Sequence, residues 1–253
     1  MYFLSFESST KIFSLALNKD GKVLRHRNLK SASVLEDSIL PVMDKMLGSA
    51  GIKFSQIDGF AIALEPGSFT SLRVGLATVK AFAMGTSKPV VGIPSLDIIA
   101  YGINFDACDE ICVINDARRG KVYACIYGPK GRKTDYLLTT LEDVLDKVHG
   151  RTLFTGDALS LYRKDIQEAY QNSRDAINGV STCKCLFAEE KWWYPRSKVM
   201  AALAYERFRH KQYDDAAGLV PLYLYPQDCQ VTPPTAGSSP RRRGSKKEQQ
   251  YGR

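Results

Sequence analysis

The chain has 253 residues, 44% of them hydrophobic and 10% aromatic, and a formal charge of +8. That length buries a sizeable core as one large or two small domains, and the composition excludes disordered and fibrous classes. No apolar run reaches membrane-spanning length, and residues 1–7 have neither a basic n-region nor a long apolar core, so no signal peptide and a cytoplasmic location are expected.

The charge is unevenly placed. Pro233 to Arg253 hold six Lys/Arg and one Glu, which leaves +3 for everything before them. A nearly balanced body weakens any argument that the folded part binds RNA through net charge. The six cysteines, at 108, 112, 125, 183, 185 and 229, show no paired C-x-x-C spacing, and His26, His149 and His210 fall on separate elements. Free thiols are expected, with no zinc site and no disulfide framework.

In chain order, Tyr2–Phe6, Lys11–Leu17 and Lys22–Arg27 read as three successive strands, joined by Glu7-Ser8-Ser9-Thr10 and by Asn18-Lys-Asp-Gly21. Ser33-Val-Leu-Glu36 has capping-box spacing, so a helix is expected to run to about Leu47, kinked at Pro41 and stopped by Gly48 and Gly51. On its projection Leu35, Ile39, Val42 and Met46 form one stripe, and Leu40, Met43 and Leu47 form a second. Together they span about 160°, more than the roughly 100° a helix buries against its own core, so something else is expected to cover the second stripe.

The strand Phe60–Leu64 leads into Glu65-Pro-Gly-Ser-Phe-Thr-Ser-Leu-Arg-Val-Gly75, which reads as strand, tight turn and helix, the helix running from Thr70 to about Met84. Ser68 or Thr70 caps its first free N–H groups, and such an end also accepts anions. Gly67–Ser71 lacks the closing glycine of a nucleophile elbow, so a catalytic serine is not indicated. Arg73 and Lys80 are the only charges on this helix, and Ser71, Gly75, Ala77, Ala81 and Ala83 are small enough for another helix to come close. Burial inside the chain and contact with a partner subunit are equal readings of those small residues.

Lys88–Asp97 reads as a strand and then a helix. Two β-rich runs follow within Ile111–Tyr127, flanking Asp116-Ala-Arg-Arg-Gly120 as a hairpin, with Arg118 and Arg119 at its tip. A strand (Thr134–Thr139), a helix (Leu141–Val148), a short strand (Thr152–Phe154) and a helix after Gly156-Asp157 come next. Trp192, Trp193 and Tyr194 suggest a core anchor, and Ser197 to about His210 is helical. From Val231 onward the chain lacks apolar residues to bury, and disorder is expected.

The Glu65–Gly75 stretch resembles the Gly-Pro-Gly-Ser-Phe-Thr-Gly-Leu-Arg-Ile-Gly signature of the TsaB (YeaZ) family, departing from it at Glu65 and Ser71, where the family has glycine. Asp116–Tyr123 is similar to the family's Asp-Ala-Arg-Arg-Gly-x-Val-Tyr, and Pro221–Pro226 resembles its closing Pro-x-Tyr-Leu-Arg, with Tyr225 in place of arginine. The resemblance covers about residues 1–228. It implies an α/β fold of two actin-like (RNase H-like) domains with mixed sheets and flanking helices, the second reduced. The boundaries it implies are 1–105 and 106–228, the last helix packing back on the first domain, then a disordered basic tail at 229–253.

The same resemblance implies a non-catalytic partner that binds and stabilises a TsaD-type catalytic subunit in tRNA threonylcarbamoyladenosine modification. Its docking residues would be Leu35, Ile39, Leu40, Met43, Met46, Leu47, Arg73, Gly75 and Ala77. A weaker anion or nucleotide set comprises Glu7, Ser8, Ser9, Thr10, Gly67 and Ser68, and an RNA-contact set comprises Arg118, Arg119, Arg241, Arg242 and Arg243. No tightly bound cofactor is expected, with ATP or ADP placed at the partner interface. A TsaE-type ATPase would act through the complex, two copies would pair when the chain is alone, tRNA would be reached indirectly, and no membrane is involved. TsaD-like subunits carry two metal-binding histidines in the first helix, and Ser31–Pro41 has none. Two alternatives stay open: an active nucleotide phosphohydrolase using Glu7 and Asp116, or a peptidase; and an RNA-binding module using the tail.

Overall fold

Alternating apolar residues and tight turns build the first sheet. In the computed structural model, which describes residues 1–9, 13–29, 35–65, 69–175 and 184–220, β1 (Tyr2–Glu7), β2 (Phe13–Lys19) and β3 (Lys22–Leu29) form an antiparallel meander. Asp20 and Gly21 adopt φ of 49° and 77°, the primed turn that matches the twist of the flanking strands. β4 (Gly59–Leu64) runs parallel to β1, and β5 (Val90–Pro94) runs parallel to β4, giving the order β3-β2-β1-β4-β5.

The pleat sends successive side chains to opposite faces. Leu4, Phe6, Leu15, Leu17, Phe60 and Ile62 meet α1 (Leu35–Ser49) and α2 (Phe69–Thr86) on one face. Phe3, Ala61 and Ala63 meet Met200, Ala204 and Phe208 of α6 (Ser197–Arg209) on the other. The helix of α1 continues through Pro41, and its predicted start at Ser33 lies outside the described residues.

A second sheet repeats the plan. β6 (Glu110–Arg118), β7 (Lys121–Gly128), β8 (Gly131–Arg132), β9 (Leu137–Thr139), β10 (Arg151–Thr155) and β11 (Lys184–Phe187) take the order β11-β10-β6-β7-β8, with β9 also on β7. As in the first sheet, an antiparallel hairpin starts it and two parallel strands extend it from the hairpin's first strand. This is the duplicated actin-like, RNase H-like arrangement, and the second copy has a broken third strand. Of the strand expected at Thr134–Thr139 only Leu137–Thr139 forms, because the Thr134 hydroxyl accepts the Ile126 N–H at 3.1 Å, taking the place of a ladder bond, and β8 pairs earlier, at Gly131–Arg132. α4 (Leu141–Leu145) and α5 (Leu159–Asp175) pack on one face through Val144, Leu159 and Ile166.

α3 (Ser95–Ala100) joins the two sheets. Its Ile98 lies in the core under α6, while Leu96, Ile99 and Ala100 pack with Ile111, Val113 and Cys125 of the second sheet. The two outer strands of the first sheet differ. Along β5, the Asp214 N–H donates to the Val90 carbonyl at 2.9 Å and the Asp214 carboxylate accepts from Gly92 N at 2.6 Å, with Arg207 bonded to both Asp214 and the Gly92 carbonyl. The outer edge of β3 has no strand against it among the described residues. No helix among the described residues is long and apolar enough to cross a membrane.

Candidate docking face and strand-end loops

The helices expected to meet a partner are mostly turned inward. Ile39, Met43, Met46 and Leu47 are all buried in the chain's own core, so the 160° apolar arc is covered by the sheet and α2 rather than left for a second protein. Gly75 is likewise internal: a Cβ there would sit 2.4 Å from the Ser8 hydroxyl oxygen, and the missing side chain lets α2 press against the end of β1. The side chain of Leu35 lies outside the described residues. What remains outward is Leu40, 53% exposed, on α1, and a stripe along α2 of Arg73, Ala77, Ala81 and Met84, the last 59% exposed. Ala81 was among the small residues read as open to a second helix, whereas Met84 was missed as an outward position; it lies i+7 from Ala77 and i+11 from Arg73, on the same helix face, which was the signal that could have found it.

At the end of β1 the chain supplies its own partners. Glu7 is buried, and its Oε1 accepts from the Ser9 N–H at 2.7 Å and from the Ser9 hydroxyl. Ser8 is fully buried, and its hydroxyl oxygen has no hydrogen-bond partner among the described residues. Thr10, Gly67 and Ser68 lie outside the described residues. Glu65 directly follows β4, the strand beside β1, and is also buried. Burial pushes its carboxyl up to about 7, against the opposing pull of Arg73. The ends of two neighbouring parallel strands therefore both carry carboxyl groups.

The second hairpin follows the same rule. Arg119 and Gly120 have positive φ, 54° and 73°, and Arg118 stands at 65°, where the register shifts beside Asp116. Asp116 steadies that shift, accepting the Arg118 N–H at 2.8 Å and pairing with the Arg118 guanidinium at 3.0 Å. The Asp157 carboxylate in turn accepts the Asp116 N–H at 2.8 Å. Gly156, at φ 110°, passes so close that a Cβ would lie 2.0 Å from the Ile114 carbonyl oxygen, which brings Asp157 under the hairpin. Arg118 and Arg119 point to solvent, as a hairpin tip dictates, while Arg241, Arg242 and Arg243 lie outside the described residues.

One cluster at the junction of the sheets had no local signal in the sequence. Asp97 of α3 accepts from the Tyr127 hydroxyl at 2.6 Å and the Tyr136 hydroxyl at 2.9 Å, and the Arg132 guanidinium lies 4.3 Å from the Tyr136 ring centre. Burial and the Asp97 charge hold both phenols far above their usual range, so they act as neutral donors. Beside them is a 330 Å³ cleft lined by Tyr101, Ile103, Phe105 and the turn after β7. Cys108, Cys112 and Cys125 are free and buried, with their thiols pushed up by desolvation. Among the described residues no three His, Cys, Asp or Glu side chains gather as a metal site would need.

A duplicated actin-like body with helix-covered sheets defines a class that includes nucleotide-dependent and accessory members alike. Residues 31–218 match the family model described as TsaD: tRNA N6-adenosine threonylcarbamoyltransferase. The chain belongs to that family, in its TsaB (YeaZ) branch. It is 30% identical over 128 residues to "tRNA threonylcarbamoyladenosine biosynthesis protein TsaB" of Escherichia coli, covering 50% of this chain and 55% of that protein, so the match spans about half of the relative's length. The protein of the same name from Bacillus subtilis is 25% identical over 232 residues, covering 88% of this chain and 94% of its own. The solved structure "YeaZ from Pseudomonas aeruginosa" shares the fold with a TM-score of 0.67 at 19% identity, over 88% of this chain and 99% of that one.

Proposed function

We propose that this chain serves tRNA threonylcarbamoyladenosine biosynthesis as a non-catalytic partner that binds and stabilises a TsaD-type catalytic subunit. The names of its relatives supply the process. The observation that supports the non-catalytic role is that three carboxylates at or near strand ends are engaged by the chain's own backbone. Glu7, Asp116 and Asp157 accept the backbone N–H groups of Ser9, Arg118 and Asp116.

Docking uses the outward stripe of α2, with Leu40 of α1. Alanines at 77 and 81 keep that stripe low, so a partner helix can approach closely. Leu40 and Met84 are half-covered already, and removing the rest of each from water contributes about 1 kcal/mol apiece. The same stripe pairs two copies when the catalytic subunit is absent. A TsaE-type ATPase joins through the complex, tRNA is reached through the catalytic subunit, and an adenine nucleotide belongs to the shared interface rather than to this chain alone.

The test is light scattering after size exclusion with the TsaD-type subunit of the same organism. Co-elution is expected, and Leu40→Asp/Met84→Asp should abolish it while leaving the melting temperature within a degree or two, because both sites are exposed. A folded chain that never joins its TsaD-type subunit would refute the proposal.

A further inference from the structure

The open edge of the first sheet carries a row of cations that form no ion pair with a described residue. Register fixes its geometry: Lys19 pairs with Lys22, Leu17 with Arg25 and Leu15 with Arg27. Leu15 and Leu17 face α1 and α2, so Lys19, Lys22, Arg25 and Arg27 stand on that same side, and the bulge after Leu17 keeps Lys22 and Arg25 in line although they are three residues apart. All four are exposed. None forms an ion pair with a described residue; Arg25 and Arg27 bond only to the carbonyls of Leu24 and His26 in their own strand, and Lys19 lies 5.4 Å from the Tyr2 ring centre. The adjacent acid, Asp20, is held by the amino terminus at 2.8 Å, and β3 itself contains no acidic residue.

We propose that this row is a binding surface for the sugar–phosphate backbone of a folded RNA. Protection of a free edge is met by charged side chains, lysine above all, which accounts for Lys19 and Lys22 but does not require Arg25 and Arg27; the other edge of the sheet is protected by covering it with Asp214. Here the charge is of one sign, and two of the four groups are arginines, whose flat fork suits phosphate oxygens. Alternate strand residues stand about 6.8 Å apart, a step similar to that between successive phosphates of a nucleic-acid strand. A second copy of the chain is the wrong occupant, because pairing β3 with β3 would set like charges opposite each other. The row is separate from the docking stripe, and its test needs no partner, so either can fail without the other.

The experiment is fluorescence anisotropy of a labelled, unmodified tRNA transcript with the full chain, repeated over a salt series. Arg25→Ala/Arg27→Ala should weaken binding roughly tenfold and flatten the slope of log K against log salt by about 2, each lost phosphate contact removing about 0.9. Arg25→Lys/Arg27→Lys should keep the slope, and deleting 233–253 should leave the difference between wild type and double-alanine chains intact. Circular dichroism should show both variants folded. Three results would each overturn the proposal: no binding by the wild-type chain, an unchanged slope in the double-alanine variant with all binding lost on tail deletion, or displacement by polyglutamate as effective as by polyuridylate, which would assign the row to an acidic protein.

Discussion

Gly75→Ala probes whether α2 is seated on the β1–β2 loop. At an open helical position this change stabilises by about 1 kcal/mol, because alanine restricts the unfolded chain and favours the helix. Here the new Cβ would stand 2.4 Å from the Ser8 Oγ and 3.0 Å from its Cβ. Relieving such a contact in a packed interior costs about 1–3 kcal/mol, which cancels the propensity gain at its lower end and leaves a net loss of up to about 2 kcal/mol. For a chain of this size a loss of about 1 kcal/mol, the middle of that range, lowers the melting temperature by about 2–4 °C. Ser8→Ala alone removes a buried hydroxyl that has no hydrogen-bond partner among the described residues and should be neutral or slightly stabilising. In the double variant part of the clash is gone, so a urea-denaturation cycle should show a favourable coupling of about 1 kcal/mol. A stabilised Gly75→Ala chain with no coupling to Ser8 would show that the helix and loop do not meet.

Two further outcomes follow from buried polar groups. Glu65, held up to about 7 by burial, keeps its proton in the folded chain at pH values where the unfolded chain has lost it, so stability should fall as pH rises from about 4.5 to about 7 and level off above; Glu65→Gln should remove that slope in pH-dependent urea melts. Asp97→Ala strands two phenol hydroxyls and should cost about 3 kcal/mol in the same assay, whereas Tyr127→Phe, which removes one donor and leaves Asp97 with Tyr136, should cost about 1 kcal/mol.

The architecture was legible wherever the signal is local. The Asn18–Gly21 and Asp116–Gly120 turns and the short apolar runs they join, with Phe60–Leu64, placed the hairpins and the strand beside the first of them. Which residues of α1 and α2 face outward was legible only in part: Leu40, Arg73 and Ala77 are exposed, but most of the apolar arc of α1 is not. A wide apolar arc on α1 looks the same whether a sheet, a sister helix or another protein covers it, and here the sheet and α2 absorb Ile39, Met43, Met46 and Leu47. Distance along the chain hid the rest. Asp97 meets tyrosines 30 and 39 residues away, and Asp116 meets Asp157 across 41, contacts no spacing rule can anticipate. Glu65 read only as the start of a tight turn, and nothing in its local sequence indicated that it is buried.

The clasp of Arg207 and Asp214 on β5, together with α6 beneath Phe3 and Ala61, sets an order of assembly. The strands translated first remain bare on one face until the ribosome has made roughly another hundred residues, a delay of about 5–20 seconds at ordinary elongation rates. The later lobe, whose strands and helices are contiguous, has everything it needs before the earlier one does. Nascent chains released before Ser197 should therefore be aggregation-prone through their amino-terminal half, and that half closes only when α6 arrives.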